Sequence, residues 1–217
     1  MNVEELVKEL KAVANPDDAV SMKAYMKNKF DFLGVKTPAR RKLAKAFFKQ
    51  QTDSVIDWDF INEAWSNPYR ELQYIALDYL EIRKKLLTPS DLPRLKKLAQ
   101  TKSWWDTIDF LDRLVESIIT RFPETKEIIL VWSCDEDFWL RRLAIDHQLL
   151  RKEETDTELL EKILVNNLDQ TEFFINKAIG WALRDYSKTN PDWVRNFIQR
   201  HREEMAALSI REGSKYL

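Results

Sequence analysis

Apolar residues along the chain recur at the spacing of amphipathic helices, in segments cut by short polar turns. Proline marks the cuts at Asn15-Pro16, Thr37-Pro38, Asn67-Pro68, Thr88-Pro89, Phe122-Pro123 and Asn190-Pro191. In most of these a capping residue precedes a proline at the first helical position, where the missing N–H costs nothing. The pattern predicts helices at 3–14, 17–30, 38–51, 58–66, 68–84, 89–100, 104–121, 124–133, 138–151, 157–168, 172–187 and 191–201, with a last one after 203.

The helices are ordered by a repeat. Ala76-Leu77-Asp78, Phe110-Leu111-Asp112, Ala144-Ile145-Asp146 and Ala178-Ile179-Gly180 follow one another at intervals of 34 residues, and Leu43 extends the apolar series one period earlier. A constant period with two helices per unit is the signature of an α-solenoid. The Trp, Leu-Gly and Tyr landmarks of tetratricopeptide repeats do not stand at their spacings, so a HEAT-like unit is expected. The expected fold is an all-α solenoid of about 12–13 helices. No Gly-, Pro- or Ser-rich linker interrupts it, so 1–217 is expected to be a single domain.

Composition agrees with the helical reading. Three glycines in 217 residues are too few for the turns of a sheet protein, and 44% hydrophobic residues suffice for a core. The single cysteine, Cys134, excludes an internal disulfide and is expected to be packed rather than nucleophilic. There is no basic leader followed by an apolar run and no apolar stretch of membrane-spanning length, which points to a soluble cytoplasmic protein without a membrane partner. The net charge of -1 conceals an asymmetry. Residues 20–50 carry nine Lys/Arg against Asp31, a local +8, whereas 153–172 carry seven acids against Lys162, a local -6. Such a chain can offer a basic surface to phosphate, although a solvated helical face has the same signature.

The most unusual stretch is Thr101-Lys-Ser-Trp-Trp-Asp-Thr-Ile-Asp109. Indole is costly to expose and aspartate costly to bury. With Ser103 as N-cap, Trp105 and Asp109 share one helix face, while Trp104 and Ile108 share another that belongs to the core. Taking Ala76, Phe110, Ala144 and Ala178 as position zero, positions zero, +1 and +4 form the packing stripe. Trp105 (-5), Asp109 (-1), Lys177 (-1) and Trp181 (+3) lie well round the helix from it, with Arg184 (+6) on their side and Arg142 (-2) adjacent. Aromatics interleaved with cations on one face match nucleic-acid recognition. The plainer alternatives are that Trp105 and Trp181 are buried between units, that Asp109 pairs with Arg142 or Lys102, and that Arg142 staples neighbouring repeats. Trp58, Trp65, Trp132, Trp139 and Trp193 are expected to pack. His147 and His201 have no ligand partner at helical spacing, so neither a metal nor a cofactor is expected.

These motifs resemble the AlkD-like family of bacterial alkylpurine DNA glycosylases, which are built from HEAT-like repeats. The resemblance runs through Tyr25-Met-Lys-Asn-Lys-Phe-Asp-Phe-Leu-Gly-Val-Lys-Thr-Pro38, the 101–109 segment, Trp139-Leu-Arg-Arg142, Lys177-Ala-Ile-Gly-Trp-Ala-Leu-Arg184, Lys188-Thr-Asn-Pro191 and Leu208-Ser-Ile-Arg-Glu212. It implies a catalytic face of Trp105, Asp109, Arg142 and Trp181. It also implies DNA contacts from an early helix around Tyr25, Lys27 and Lys29, and from Arg184; the basic residues Lys102 and Lys177 beside the same face are expected to contact DNA as well. Where relatives carry a lysine after the catalytic arginine, this chain has Leu150, followed by Arg151, the basic residue expected to contact DNA there, and Lys152.

The activity so implied is hydrolysis of the N-glycosidic bond of N3- or N7-alkylated purines in duplex DNA, without strand cleavage and without base flipping into a pocket. Such a purine is already cationic, so its departure leaves positive charge on the deoxyribose. Asp109 near C1′ would stabilise that charge and orient water, the tryptophans would flank the sugar, and Arg142 would grip a phosphate. The implied partner is double-stranded DNA carrying alkylated purines, with no obligate protein partner, in the bacterial cytosol or nucleoid. Two rivals remain at this point: a catalytically silent paralogue binding DNA structures, and a protein-binding HEAT scaffold.

Overall fold

The computed structural model describes residues 2–49 and 55–217. Among them the chain forms thirteen α-helices joined by short turns and 3-10 segments, and its one β contact is an isolated bridge between Asp31 and Tyr69. The end of the third expected helix, at 50 and 51, lies outside the described residues. Two compact units are distinguished, Met1–Leu87 and Thr88–Leu217. Among the described residues no helix is long and apolar enough to cross a membrane.

The first unit contains α1 (Val3–Ala12), α2 (Pro16–Tyr25), α3 (Thr37–Phe48), α4 (Trp58–Ser66) and α5 (Arg70–Ile82). Its core is aromatic, with Tyr79 edge-on to Phe48 at 5.3 Å and to Phe60 at 5.4 Å. The loop entering α3 is organised by a buried carboxylate, as Glu71 accepts the backbone N–H groups of Leu33, Gly34 and Val35 at 2.9–3.1 Å. Gly34 is obligatory there. Its φ is +81°, and a Cβ would stand 1.9 Å from the carbonyl oxygen of Asn15.

Helix α2 stops at Tyr25 rather than at residue 30, because Lys27 and Asn28 adopt consecutive left-handed conformations with φ of 56° and 58°. Helix α5 begins at Arg70 rather than at the proline, since Arg70 N–H donates to the Asp31 carbonyl beside the bridge. The basic 20–50 stretch is in part structural. Lys23 pairs with Asp31 and Lys36 with Asp18, while Arg40 and Arg41 share Asp78. Burial lowers the pKa of Arg40, against the pull of Asp78.

The second unit contains α6 (Leu92–Ala99), α7 (Trp105–Arg121), α8 (Lys126–Trp132), α9 (Phe138–Asp146), α10 (Thr157–Val165), α11 (Phe173–Ser187), α12 (Pro191–His201) and α13 (Ala207–Gly213). Helices α7, α9 and α11, the second members of successive pairs, pack side by side. Helices α6, α8 and α10 back them, and α13 closes against α11. The packing stripe follows the repeat: Leu111, Leu114, Ala144, Ile145, Ala178, Ile179 and Ala182 are buried, as is polar Gln148, which exchanges hydrogen bonds with the backbone of Asp156.

Helix α9 ends at Asp146, not 151. Leu150 is left-handed at φ 68°, and its N–H is taken by the Asp185 carboxylate at 2.7 Å. Cys134 is not packed as expected. It follows the end of α8 and is exposed on a groove of about 1100 Å³ lined by α8 and α10 residues.

Candidate functional site

Helix α7 brings the tryptophan pair into place, but not by the expected cap. Trp104 itself is the N-cap residue, in extended conformation, and Ser103 Oγ turns back to donate to the Ala99 carbonyl at 2.6 Å, tying the turn to the end of α6. The two indoles therefore diverge. Trp104 packs edge-on to Trp139 at 5.5 Å and to Phe174 at 5.2 Å, but it is half-buried like Trp105 rather than in the core. Trp105 opens the helix, half-buried, one turn before Asp109.

Asp109 is held by Arg142 of α9 through two parallel bonds, Nε to Oδ1 at 2.8 Å and NH2 to Oδ2 at 2.9 Å. This fork-to-fork geometry is the strongest that a carboxylate and a guanidinium make. The pair is asymmetric in exposure, with 2% of the Arg142 side chain reaching solvent against 21% of Asp109. Arg142 NH1 also donates to the Phe174 carbonyl at 2.7 Å, and NH2 lies 3.6 Å from Asp146. The guanidinium is thus engaged within the protein by Asp109, the Phe174 carbonyl and Asp146.

Two further carboxylates lie beneath this pair. Asp112 and Asp146 are 3% and 1% exposed, so the guanidinium answers to three acids. Burial, reinforced by neighbouring carboxylates, pushes Asp112 well above its ordinary pKa. Burial likewise takes Asp146 to about 7 despite Arg142. For Asp109, burial raises the carboxyl while the Arg142 hydrogen bonds oppose the rise. Burial alone would lower Arg142, but Asp146 and Asp109 hold its pKa up. Asp112 and Asp146 occupy position +2 of the repeat tripeptides. The recurring acid inside an apolar triplet was the signal that could have singled them out.

Trp181 of α11 faces three cations. Arg142 lies 5.3 Å, Lys177 5.7 Å and Arg184 5.9 Å from its ring centroid. Lys177 and Arg184 share a carboxylate from α13, Glu212, each at 3.2 Å. Asp109, Arg142, Trp181, Lys177 and Arg184 are therefore joined through direct contacts, as the repeat register implied. Lys102 sits in the α6–α7 turn with φ 51°. Arg151 pairs instead with Glu116 of α7 at 3.8 Å, with 17% of its side chain exposed. Tyr25, Lys27 and Lys29 are exposed at the end of α2 in the first unit. Among the described residues no group of three or more His, Cys, Asp or Glu is disposed to hold a metal ion.

Comparison with known proteins bears on what this face meets. The model of the DNA alkylation repair enzyme family matches residues 6–217. The chain belongs to that family. Membership in the DNA alkylation repair enzymes carries a role in alkylation repair and DNA as partner. No curated protein matches the chain. Among solved structures, a predicted DNA alkylation repair enzyme from Enterococcus faecalis is 35% identical, with 94% of this chain and 96% of that one covered and a TM-score of 0.86. AlkD2 from Streptococcus mutans is 17% identical over 90% of this chain and 99% of its own, with a TM-score of 0.62. The smu.31 protein of Streptococcus mutans UA159 is 16% identical over 82% and 91%, with a TM-score of 0.61. The all-α solenoid of helical repeats is the fold this alkylation repair chain has in common with them.

Proposed function

We propose that the protein is a monofunctional DNA glycosylase that hydrolyses the N-glycosidic bond of N3- or N7-alkylated purines in duplex DNA, with 1–217 acting as one functional domain. The observation that carries the reading is the Asp109 carboxylate, partly open to solvent and fixed in orientation by a buried guanidinium. A carboxylate so held needs no reorganisation when positive charge develops at C1′, which is where preorganised electrostatics contributes most. Asp109 is the catalytic group, stabilising the oxocarbenium-like sugar and orienting the attacking water. Arg142 is its positioning residue. Trp105 and Trp181 flank the sugar, and Lys177, Arg184 and Lys102 meet phosphates nearby; in the first unit, exposed Tyr25, Lys27 and Lys29 are DNA contacts in their own right.

The leaving purine is already cationic and departs neutral, so no general acid is required. No lysine nucleophile is required either, so the strand stays intact. The test is incubation with methylated duplex DNA. Release of 3-methyladenine or 7-methylguanine by the wild-type protein, and loss of at least 100-fold in rate for Asp109→Asn, is expected. An inert wild type, or a fully active Asp109→Asn, overturns the reading.

One observation favours a rival. The bidentate bond to Arg142 offsets the charge that Asp109 would offer a sugar, which suits a catalytically silent protein that binds DNA structures. Binding to junction or damaged duplexes without base release selects that rival.

A further inference from the structure

The chain has three glycines, and two of them, Gly180 and Gly213, stand at the contact of α11 with α13. A Cβ on Gly180 would lie 2.6 Å from Cβ of Glu212, and one on Gly213 would lie 3.0 Å from Cβ of Leu183. A glycine inside a helix costs about 1 kcal/mol relative to alanine. In a chain so poor in glycine, that cost is accepted where it lets α13 approach α11 closely. The approach is locked by Ser209, buried, whose Oγ donates to the Asn176 carbonyl at 2.9 Å.

What the approach delivers is one carboxylate. Glu212 reaches Lys177 with Oε1 and Arg184 with Oε2, both at 3.2 Å. These two cations are seven residues apart, about 10 Å along the helix axis, with Trp181 between them. Without Glu212, Trp181 would face Arg142, Lys177 and Arg184 with Asp109 as the one partly exposed acid of this group. A face so charged would grip the phosphates of any DNA and repel a cationic base.

We propose that Glu212 is the specificity-determining residue of the site: it ties Lys177 and Arg184 to either side of Trp181 and offsets their charge, so that the face discriminates in favour of a cationic lesion over undamaged DNA. The inference rests on the proposed reading of this face as one that meets alkylated purines. Lys177 beside it holds the Glu212 carboxyl below its ordinary pKa, so it is ionised at neutral pH. Asp112 and Asp146, raised by burial, contribute less negative charge there.

The experiment compares the wild type with Glu212→Gln, and with Glu161→Gln as a control that removes the same charge from α10, where Glu161 pairs with Arg200. Affinity is measured for an unmodified duplex and for the same duplex carrying one 7-methylguanine on a 2′-fluoro sugar, which resists excision. Glu212→Gln is expected to bind the unmodified duplex several-fold more tightly at low salt. Its log-affinity against log-salt plot should steepen by about one, the increment for one more neutralised phosphate. Its preference for the lesion duplex should fall several-fold, while Glu161→Gln keeps wild-type preference.

Unchanged preference in Glu212→Gln, weaker binding of both duplexes, or the same loss in Glu161→Gln overturns the proposal. A wild type with no preference for the lesion duplex instead overturns the reading of the face on which it rests.

Discussion

Replacing Asp146 by asparagine should make stability depend on pH in a way that the wild type conceals. Asp146 is 1% exposed, neither of its carboxylate oxygens has a hydrogen-bond partner among the described residues, and its pKa is raised from 3.8 to about 7. A folded-state value above the unfolded one means that the native protein binds the extra proton. Stability from this group is therefore fully present below pH 3.8 and is lost as pH rises towards 7, at about 1.4 kcal/mol per pH unit and on the order of 4 kcal/mol in all.

His147, the next residue, does the opposite. It is 2% exposed, and its Nδ1 faces the Ala144 carbonyl at 2.6 Å, so the neutral ring carries its proton on Nδ1. Burial lowers its pKa from 6.5 to about 4. Its contribution, about 3 kcal/mol, is present above pH 6.5 and is lost as pH falls through 4. Between pH 4 and 6.5 the two slopes nearly cancel.

Asp146→Asn removes the falling limb and leaves the rising one. The stability of the variant relative to wild type should climb by about 1.4 kcal/mol per unit from pH 4 to 7 and then level off. Urea unfolding at intervals from pH 4 to 8, followed by tryptophan fluorescence, measures it. Six of the eight tryptophans lie in the second unit and report on it. Parallel stability curves for variant and wild type, or a difference that shrinks with rising pH, would refute the assignment of a buried, proton-holding Asp146.

Two other substitutions probe the scaffold and the clamp. Arg142→Lys keeps a charge but cannot form the two-bond fork to Asp109, so single-turnover excision should fall at least 10-fold with duplex affinity little changed; an equal loss of affinity would mean that Arg142 touches DNA. Gly34→Ala sets a methyl against the Asn15 carbonyl at a φ of +81°, and should cost several kcal/mol or prevent the first unit from folding, seen as lost helical circular dichroism and a lowered melting temperature.

Much of this protein could be read from its residues taken in order. The 3.6-residue spacing of apolar positions and the prolines located all thirteen helices of the described residues, because amphipathicity and capping are local properties. The 34-residue period placed Asp109, Arg142, Lys177 and Trp181 beside one another, because in stacked repeats one period of sequence is one step of space. Where local rules competed, tertiary contacts decided. Ser103 abandoned its cap for the Ala99 carbonyl, the turn after α9 set the Leu150 N–H against Asp185, and an isolated bridge to Asp31 delayed α5.

The state of the charges was also beyond the sequence. Whether Arg142 points at solvent or at Asp109, and whether Asp112 and Asp146 keep their protons, depends on desolvation and on distances between helices that no local pattern encodes. Glu212 makes the same point. It lies 28 residues beyond Arg184, and only the close approach at Gly180 brings its carboxylate to both cations.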